Sequence, residues 1–531
     1  MKVVVAEKIS SSAVNLLREP RWTVVTPEQM DGKLAAQLES ADALIVRSAV
    51  QVNADLLAKA RKLRVIGRAG VGVDNIDLDA ATRQGIAVMN TPGANAIAVA
   101  EHTLAMMLAM ARHLCRANEL MHAGKWEKKS LQGAELRGKT LGIVGLGRIG
   151  MEVARRARAF RMEIIAHDPF VSTAVAKEQG IRMVKLEEVY AAADYLTLHV
   201  GLTPQTSDMI NAQSLRKMKR GVRLVNCARG ELVDEAALAR ALKQGQVAEA
   251  ALDVFLEEPL KNSPLAALDN VILTPHIGGS TYEAQEAVGY QIALQVKEYL
   301  KHGVIQNAVN VPSVSHDEYL ELQPYIVLAE RLGAFLAQAS EGRLEEISLR
   351  YSGHIAEWKT ELIRNAAIKG ILNEEEKANL VNAAAIASSR GLRVHEARKP
   401  KSSSGGAGSV LSILLKTSAE EHLIKGAVLH RRTPRLLHVD GIDVEAPLER
   451  NLIFMRNRDV PGVIGRVGTI LGKHKINIAD FSLGRRSGNG KPGVPRQAIA
   501  VVHVDGRVPE EVLAELRKVP AIEQAKAIQL F

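Results

Sequence analysis

Short runs of β-branched and aliphatic residues alternate with helix-like patterns over residues 1–90. The runs are KVVVAE, ALIVRS, LRVIGRAG and IAVMN, and the segments between them include SSAVNLLRE and DLLAKARKL. Apolar strands that alternate with helices are typical of a parallel sheet covered on both faces. The alternation resumes from Lys139 with TLGIVGLG, EIIAHD, YLTLHV, VRLVNCA, EAALDVF and VILTPH. The pattern therefore predicts an α/β fold with two doubly wound, Rossmann-like parallel-sheet lobes in series.

A long apolar segment lies between the two predicted lobes. Its pattern predicts one helix, from Ile97 to Arg116, that crosses from the first lobe to the second. Charged and titratable residues interrupt it before a membrane-spanning length of about 18 apolar residues is reached, namely Glu101, His102, Arg112 and His113. The N-terminal run MKVVVAEKIS is interpreted as a first strand rather than a signal peptide, because Glu7 and Lys8 break it.

The pattern changes after about Pro312. Longer helical segments, such as YIVLAERLGAFLAQ, and strand-like stretches, such as LEEISLRYSG, predict a separate α+β module. Within it, the Gly/Ser-rich stretch from Lys401 to Ser409 predicts a flexible surface turn with a hairpin across it. From Asn451 onward the chain has strand, helix, two strands, helix and strand in order. This βαββαβ succession predicts a small ferredoxin-like domain.

Composition and charge narrow the class of protein. At 531 residues, with 47% hydrophobic and 24% charged residues, the chain is typical of a globular protein of several domains. Cys115 and Cys227 have no paired spacing, so neither a disulfide framework nor a metal site is expected, which favours the cytoplasm. The formal net charge is +10, but basic and acidic residues are interleaved. We therefore expect a small anionic substrate rather than nucleic acid or a membrane as partner.

A glycine fingerprint predicts the cofactor. Gly145, Gly147 and Gly150 follow an apolar strand and open a helical pattern, and Asp168 ends the next strand. In this order the glycines allow a tight turn, close approach of a diphosphate to the backbone, and close packing of helix on strand. The helix N-terminus then presents free N–H groups to the diphosphate.

Asp168 indicates which dinucleotide is bound. Its carboxylate would accept hydrogen bonds from the adenosine ribose and repel the 2′-phosphate of NADP, so NAD is expected. Arg148 and His167 lie nearby and could soften that repulsion. The alternative interpretation of Asp168-Pro169 is a turn that merely ends a strand.

Three acid–base candidates follow later strands. Arg229 lies in VNCARGELVD, Glu258 in ALDVFLEEP and His276 in LTPHIGG. Parallel strands bring their carboxyl ends to one rim, where His276 would take a hydroxyl proton while hydride leaves the same carbon. Glu258 would hold the imidazole and favour its protonated form, and Arg229 would grip a substrate carboxylate with two N–H groups.

Each of the three residues also has a simpler interpretation when it is taken alone. His276 fits a turn at a strand end, Glu258 an acid at a helix cap, and Arg229 a surface ion pair. Their succession behind a nucleotide fingerprint favours the catalytic interpretation.

These motifs resemble those of a known family. VGLGRIG, NCARGELVDE, ALDVFLEEP and TPHIGGST are similar to signatures of the D-isomer-specific 2-hydroxyacid dehydrogenases. RAGVGVDNID and MNTPGAN resemble the branch that acts on 3-phospho-D-glycerate. The resemblance covers nearly the whole chain, and it implies NAD-dependent oxidation of that substrate to 3-phosphohydroxypyruvate, the first step of phosphorylated L-serine biosynthesis.

The resemblance also implies roles for particular residues. In that family the Arg, Glu and His act as argued above for Arg229, Glu258 and His276. Further cofactor contacts are carried over to Arg148, Ile149, Thr203, Cys227 and Asp253, with Asp253 at the nicotinamide amide. The substrate cleft would be lined by Arg47, Ser48, Gly70, Val71 and Asn95.

The resemblance further implies a domain division and a regulator. Residues 1–96 with 282–312 would form the substrate-binding domain, 97–281 the NAD-binding domain and 313–446 an intervening domain. Residues 450–531 resemble an ACT domain, which binds small amino acids at a dimer seam. Asp459 and Asn477 are thus candidates for contacting the amine and carboxylate of an effector such as L-serine, although Asp459-Val-Pro-Gly also fits a plain turn into a helix. A homodimer or homotetramer is expected.

Two departures from the family pattern concern the substrate and the nicotinamide loop. The usual VRSAT is followed by a lysine, whereas this chain has VRSAVQ, which removes one expected phosphate contact. Where LHxPLTP is common, this chain has Gly201 in HVGLTP, which is expected to loosen the loop without abolishing binding.

Three alternative functions remain open from the sequence. One is a related enzyme that acts on glyoxylate, hydroxypyruvate or another D-2-hydroxy acid. Another is a non-catalytic NAD-sensing protein built on the same fold, and the third is an amino-acid sensor whose front half is a relic. The complete fingerprint with Arg229, Glu258 and His276 favours an enzyme over both sensors.

Overall fold

The first lobe is a five-stranded parallel sheet covered by helices. The computed structural model of the chain describes residues 1–30, 32–314, 316–372, 377–399, 408–430, 432–487 and 496–530. Strand order is β2-β1-β3-β4-β5, and every pairing in this sheet is parallel. Its elements are β1 (Lys2–Val5), α1 (Ser11–Leu16), β2 (Thr23–Val25), α2 (Pro27–Met30), α3 (Leu34–Leu38), β3 (Ala43–Val46), α4 (Ala54–Lys59), β4 (Val65–Arg68), α5 (Leu78–Arg83) and β5 (Ala87–Met89).

A later helix returns to this lobe. Helix α13 (Tyr282–His302) packs on β4 so closely that a Cβ at Gly67 would overlap Ile292 and Val296. Beyond the helix, Asn310 Oδ1 accepts from Val88 N at 2.8 Å, beside β5. The first lobe is thus built from two separate stretches of the chain.

The second lobe is a seven-stranded parallel sheet. The strand order is β12-β11-β10-β9-β6-β7-β8. From β6 the chain adds strands on one side up to β8, and from β9 it adds them on the other side. This change between the parallel neighbours β6 and β9 creates a crevice at their carboxyl ends. Its elements are α6 (Ala96–Arg112), α7 (Leu114–His122), β6 (Thr140–Val144), α8 (Arg148–Ala159), β7 (Glu163–His167), α9 (Thr173–Glu178), β8 (Arg182–Met183), α10 (Leu186–Ala192), β9 (Tyr195–Leu198), α11 (Ala212–Lys217), β10 (Val222–Asn226), α12 (Glu235–Lys243), β11 (Val247–Leu252) and β12 (Val271–Leu273).

The predicted single helix from Ile97 to Arg116 is wrong in its extent. Helix α6 ends at Arg112, and α7 begins at Leu114. His113 between them has a left-handed backbone (φ 51°), and its ring lies 3.2 Å from Glu249 Oε1. A residue in this conformation ends a helix, so the chain changes direction at His113. None of the described helices is long and apolar enough to cross a membrane.

The third unit combines a mixed six-stranded sheet with helices. Its strand order is β14-β13-β15-β16-β17-β18, in which β13 and β14 are parallel and the remaining pairs are antiparallel. Its elements are α14 (His316–Ala339), β13 (Leu344–Ser352), α15 (Glu361–Leu372), α16 (Ala383–Ser389), β14 (Arg393–Lys399), β15 (Val410–Thr417), β16 (Glu421–Leu429), β17 (Thr433–Val439) and β18 (Ile442–Pro447).

The hairpin predicted across Lys401 to Ser409 is wrong. Residues 400–407 lie outside the described part of the chain, but the strands on either side are described. Strand β13 lies between β14 and β15 and pairs with both. The Gly/Ser-rich stretch therefore connects two strands that are not neighbours, because β13 occupies the position that a hairpin partner would take.

The fourth unit has the predicted βαββαβ order. Its elements are β19 (Asn451–Arg458), α17 (Val463–Lys473), β20 (Ile478–Arg485), β21 (Gln497–Val504), α18 (Glu510–Arg517) and β22 (Ile522–Gln529), with strand order β20-β21-β19-β22. Together with the two parallel lobes and the mixed third sheet, this confirms the predicted fold class.

A charged cluster joins the third and fourth units. His422 Nδ1 lies 2.8 Å from Asp440 Oδ2, its Nε2 lies 3.1 Å from Glu420 Oε2, and Arg456 on β19 donates to Asp440. Nearby, the two sheets approach backbone to backbone, since a Cβ at Gly484 would overlap the carbonyl oxygen of Asp443. The cluster therefore ties the six-stranded sheet to the last four strands.

The cluster makes the stability of this interface depend on pH. The hydrogen bond to Asp440 raises the pKa of His422, and burial only partly opposes it. A raised folded pKa stabilises the protein below the unfolded value of about 6.5, and the gain is lost as pH rises through the folded value. We expect the free energy of unfolding to fall more steeply between pH 6 and pH 8 in the wild type than in His422→Gln. Urea unfolding at both values measures this, and equal slopes would contradict it.

Candidate active site

The predicted substrate, cofactor and catalytic residues follow the carboxyl ends of parallel strands. In the first lobe, Arg47 and Ser48 follow β3, Gly70 and Val71 follow β4, and Asn95 lies beyond β5. In the second lobe, loops after β6, β7, β9, β10, β11 and β12 carry the remaining residues of the predicted cofactor and catalytic sets. Because both sheets present these ends to the cleft between the lobes, the fold brings the two sets face to face.

The glycine turn after β6 has the geometry that a dinucleotide diphosphate requires. Gly145 has a positive φ of 93°, and a Cβ at Gly150 would overlap the Gly145 carbonyl oxygen. Gly147 caps the N-terminus of α8 without a side-chain hydrogen bond, and the space that its Cβ would occupy is open. The free N–H groups of α8 therefore face an open cradle that fits the diphosphate of NAD.

Asp168 holds this turn from the next strand. Its Oδ2 accepts from Leu146 N at 2.8 Å, and its Oδ1 accepts from Phe170 N at 2.8 Å. Each carboxylate oxygen can accept a second hydrogen bond, so capacity for ribose hydroxyls remains. Arg148 donates to the carbonyl oxygen of Pro92 in the first lobe. Ile149 packs against the core beneath the turn.

Two other predicted cofactor residues, Thr203 and Cys227, differ in their exposure to solvent. Thr203 lies on an exposed loop that is closed by its own hydrogen bonds, with Thr203 N donating to Thr206 Oγ1 at 2.8 Å and Thr206 Oγ1 donating to Gly201 O at 2.7 Å. The Cys227 thiol is buried against Met106, and burial raises its pKa to about 12. A cofactor contact from Cys227 would therefore come from its backbone.

His276 and Glu258, the residues predicted as an acid–base pair, contact each other. His276 Nδ1 lies 2.7 Å from Glu258 Oε2, and Glu258 Oε1 accepts from Phe255 N at 3.1 Å. With the Nδ1 proton directed at the carboxylate, Nε2 carries the lone pair and is available at the cleft. The side chain of His276 is half exposed, so a substrate can reach it.

Gly230 brings the loops of Arg229 and Glu258 together. A Cβ at Gly230 would overlap the carbonyl group of Phe255 and the backbone nitrogen of Leu256. The loop after β10 therefore touches the loop after β11 directly. This close approach sets the spacing between the guanidinium and the imidazole–carboxylate pair.

Arg229 reaches across the cleft to the first lobe. Its Nε lies 3.0 Å from Asp74 Oδ2, and its Nη1 donates to the Ala228 carbonyl oxygen at 2.6 Å. Asp74 is largely exposed, and a Cβ at Gly72 would overlap the guanidinium. The Asp74 carboxylate is thus paired with the Arg229 guanidinium. A 2-hydroxy acid would present the same kind of group, a carboxylate, to Arg229.

The sequence motifs missed Arg68, which lies at the end of β4 inside RAGVGVDNID. Burial first, and then the charge of Arg229, lower the pKa of the Arg68 guanidinium. The carboxylates of Asp74 and Glu7 partly oppose this shift, and Arg47 adds a smaller lowering effect. The Nε of Arg68 is buried without a hydrogen-bond partner. The available signal was an arginine that ends an otherwise apolar strand. Arg47, Arg68 and Arg229 thus form a cationic cluster that an anion would stabilise.

The first-lobe wall of the cleft contains further unpartnered polar atoms. Asn95 Oδ1 and Thr91 Oγ1 are buried without hydrogen bonds. Val71 O accepts from Asn90 Nδ2 at 2.6 Å, and Gly70 has a positive φ of 146°. Ser48 is exposed beside Arg47. Buried polar atoms without partners are rare, and their position here fits a ligand in the cleft.

Asp253 is buried under the His276 loop. It is 1% exposed and accepts from Thr274 Oγ1 at 2.6 Å, Ile277 N at 2.8 Å and Gly278 N at 2.7 Å. Burial alone would raise its pKa, but hydrogen bonds, with His102 and Thr274 foremost, hold the pKa of the carboxyl below its usual value. Its oxygens are engaged by the loop rather than directed into open space.

The structure separates the two candidate effector residues. Asp459 follows β19 and pairs with Arg485 at 3.1 Å, whereas Asn477 precedes β20 and donates to Asp505 at 2.8 Å. Both strands are antiparallel to β21 and so run in the same direction. The eight-residue length of β19 puts the two residues about 25 Å apart. One chain therefore cannot bring both to one small effector.

Within the described residues, no group of His, Cys, Asp and Glu could hold a metal.

Family models match three stretches of the chain. Residues 104–278 match the D-isomer specific 2-hydroxyacid dehydrogenase NAD binding domain, 321–440 the D-3-phosphoglycerate dehydrogenase intervening domain and 451–521 the ACT domain. The chain is 42% identical to the D-3-phosphoglycerate dehydrogenase of Methanocaldococcus jannaschii, with 100% of both chains covered. The chain belongs to the D-3-phosphoglycerate dehydrogenase family. The Bacillus subtilis family member is 38% identical, over 100% of this chain and 99% of that one.

Solved structures match more than half of this family member. The TT0316 protein from Thermus thermophilus has a TM-score of 0.53 and 36% identity, over 58% of this chain and 100% of that one. The D-lactate dehydrogenase from Aquifex aeolicus, in complex with NAD and lactic acid, has a TM-score of 0.52 and 30% identity, over 59% and 100%. These relatives and the NAD-binding domain identify the chain as an NAD-dependent oxidoreductase with an ACT domain.

Proposed function

We propose that this enzyme oxidises 3-phospho-D-glycerate to 3-phosphohydroxypyruvate, the first step of phosphorylated L-serine biosynthesis. The observation that carries the proposal is the cationic cluster of Arg47, Arg68 and Arg229 beside the His276–Glu258 pair. The substrate has an anion at each end and a hydroxyl on the carbon between. The cleft offers cations for both anions and a base for the hydroxyl.

In the proposed reaction Arg229 binds the substrate carboxylate with two N–H groups. The substrate carboxylate thereby replaces the carboxylate of Asp74. This orients carbon 2 and its hydroxyl toward His276. As hydride leaves carbon 2, His276 Nε2 takes the hydroxyl proton, the C–O bond becomes a carbonyl, and Glu258 stabilises the imidazolium. NAD, when bound, supplies the hydride acceptor.

The cofactor contacts proposed are those of the glycine turn and its neighbours. The N–H groups of α8 beside Gly147 bind the diphosphate, and Asp168 accepts from the ribose. Thr203, Cys227 and Asp253 lie on the loops beside the expected nicotinamide position. The front lobes act as substrate-binding (1–96 with 282–312) and NAD-binding (97–281) domains, followed by an intervening (313–446) and a regulatory (450–531) domain. A reducing compartment, the cytoplasm, is proposed because both cysteines are free thiols.

The phosphate end of the substrate is assigned to Arg68 and Arg47. The lysine usual after VRSAT is absent, and Gln51, which follows VRSAV here, is exposed. Arg68 compensates for this loss because its Nε–H group is buried without a hydrogen-bond partner and Arg229 and Arg47 lie nearby. A doubly charged phosphate is the ligand that relieves their repulsion best.

Arg68→Met is expected to reduce selectivity for the phosphorylated substrate. Loss of a charge-assisted hydrogen bond should lower kcat/KM for 3-phosphohydroxypyruvate reduction about 10- to 100-fold. Reduction of unphosphorylated hydroxypyruvate should change little. Steady-state NADH oxidation with each substrate measures both. An equal loss with both substrates would show that Arg68 supports the fold rather than the phosphate.

The proposed function is tested by NADH formation from 3-phospho-D-glycerate at alkaline pH, with the product trapped. Strong preference over D-glycerate and D-lactate supports it. Better turnover of an unphosphorylated acid would establish the alternative of another D-2-hydroxyacid dehydrogenase. NADH binding without turnover of any 2-hydroxy or 2-oxo acid would establish a non-catalytic NAD sensor.

We also propose that L-serine is an effector and that its site needs a homodimer or homotetramer. A second copy can place its Asn477 beside Asp459 of the first, which one chain cannot do. Helix α7 supports an assembly, because none of its residues is buried. Sedimentation should show a dimer or tetramer, and L-serine should inhibit the wild type but not Asp459→Ala. A serine-insensitive wild type would refute the effector and leave the enzyme assignment intact.

A further inference from the structure

A histidine on the helix that connects the lobes lies behind the loop of His276. His102 is on α6, and its side chain is 18% exposed. Its Nε2 lies 3.2 Å from Thr274 Oγ1 and 3.4 Å from Asp253 Oδ1. It lies outside the glycine fingerprint and outside the motifs of Arg229, Glu258 and His276.

The direction of the hydrogen bonds follows from the hydroxyl between the two titratable groups. Thr274 Oγ1 is 2.6 Å from Asp253 Oδ1, and a carboxylate only accepts. The single hydroxyl proton therefore points to Asp253, and the hydroxyl oxygen accepts from His102. This requires a proton on His102 Nε2. The three side chains form a directed chain from α6 to the buried carboxylate.

Asp253 in turn holds the loop that carries His276. It accepts hydrogen bonds from the N–H groups of Ile277 and Gly278, the two residues that follow His276. His276 has a left-handed backbone (φ 53°), a conformation that is unfavourable for a residue other than glycine. The surrounding hydrogen bonds have to maintain that conformation.

The fit behind the loop leaves little space for rearrangement. A Cβ at Gly278 would lie 3.0 Å from Asp253 Oδ2 and 3.7 Å from the His102 ring. A carboxylate that is 1% exposed is stable only when its oxygens are hydrogen-bonded and its charge is compensated. His102 Nε2 lies 3.4 Å from Asp253 Oδ1 on the far side of the loop, where its N–H group supports the hydrogen bond from Thr274 to the carboxylate.

We propose that His102 is a positioning residue for hydride transfer. It completes the hydrogen bonds of Thr274 and Asp253, and so keeps the loop from Thr274 to Gly278 in the conformation that places His276 on Glu258. This rests on the proposed function, in which His276 is the base. Because α6 begins beside Asn95 in the cleft, His102 also ties the catalytic loop to the helix that connects the two lobes.

Two substitutions separate the hydrogen bond from simple packing. His102→Leu keeps a side chain of similar volume and removes the donor, whereas His102→Gln places an amide N–H near the position of Nε2. We expect His102→Leu to lower kcat about 10- to 100-fold with KM near that of the wild type, because Arg229 and Arg68 are untouched. His102→Gln should restore most of kcat.

Amide hydrogen exchange provides a readout that does not depend on turnover. In the full-length protein without substrate, the backbone amides of Ile277 and Gly278 should exchange faster in His102→Leu than in the wild type. In His102→Gln they should regain protection. Unchanged kcat and protection in His102→Leu would overturn the proposal, as would His102→Gln being as impaired as His102→Leu. If His102→Leu does not fold, His102→Asn replaces it, because its shorter amide does not reach Thr274, and the same comparison with His102→Gln and the wild type applies.

His113→Asn is the matched control. It removes an imidazole–carboxylate contact at the end of the same helix, and asparagine tolerates the left-handed conformation there. It should change neither kcat nor loop protection. A wild type that turns over no 2-oxo acid would refute the proposed function. An active wild type with an unaffected His102→Leu variant would refute only the role of His102.

Discussion

Replacing His276 by asparagine is expected to lower kcat by about 10²–10⁴, the range of general acid–base catalysis. Asparagine suits this position because it tolerates the left-handed backbone (φ 53°), so the loop should keep its course. NADH affinity should stay near that of the wild type, since the glycine turn and Asp168 are untouched. Stopped-flow turnover and fluorescence titration with NADH measure the two quantities.

Glu258→Gln is the companion variant. The amide oxygen can still accept from His276 Nδ1, whereas the negative charge that stabilises the imidazolium is lost. The fall in kcat should therefore be smaller than for His276→Asn. Retention of most of kcat in His276→Asn would mean that another group takes the hydroxyl proton.

Arg229→Lys is expected to lower kcat/KM about 10²–10³-fold although the charge is kept. An ammonium cannot grip a carboxylate with two parallel N–H groups, and charge-assisted hydrogen bonds contribute about 1.5–3 kcal/mol each. The loss should appear in both KM and kcat, since the same contact orients carbon 2. Steady-state kinetics with 3-phosphohydroxypyruvate measures it.

Asp74→Asn is the matched control for Arg229. It removes the carboxylate that pairs with Arg229 at 3.0 Å in the absence of substrate. KM should fall, because the substrate no longer displaces a like-charged competitor. A rise in KM for Asp74→Asn, or near wild-type kinetics for Arg229→Lys, would argue against carboxylate binding by Arg229.

Local requirements made much of the site predictable from the sequence. Gly145 must adopt a positive φ and Gly150 must admit the Gly145 carbonyl oxygen, so both are visible as glycines in a fixed spacing. The meeting of His276 with Glu258 followed from one topological rule, that parallel strands end at one edge. The two lobes were predictable for a different local reason: the buried strands of a parallel sheet are almost uninterrupted apolar runs.

What the sequence missed depends on contacts between distant parts of the chain. His102 reads as one polar residue on an apolar helix until β11 and β12 bring Asp253 and Thr274 beside it. Arg68 reads as the end of a strand until the second lobe brings Arg229 close. The hairpin at residues 401–409 failed because neighbours in sequence were assumed to be neighbours in the sheet. Asp459 and Asn477 lie at opposite ends of strands that run in the same direction within one chain, so an effector site formed by both at a dimer seam stays a prediction.

The contact at Gly230 limits how far this catalytic geometry can vary. The hydrogen that glycine has in place of a Cβ is all that separates the loop of Arg229 from the loop of Glu258. The tolerance between the loop of Arg229 and the loop of Glu258 is thus narrower than one methyl group. The positions of the two loops are therefore coupled. A sequence change that shifts one loop must be accompanied by a matching shift of the other.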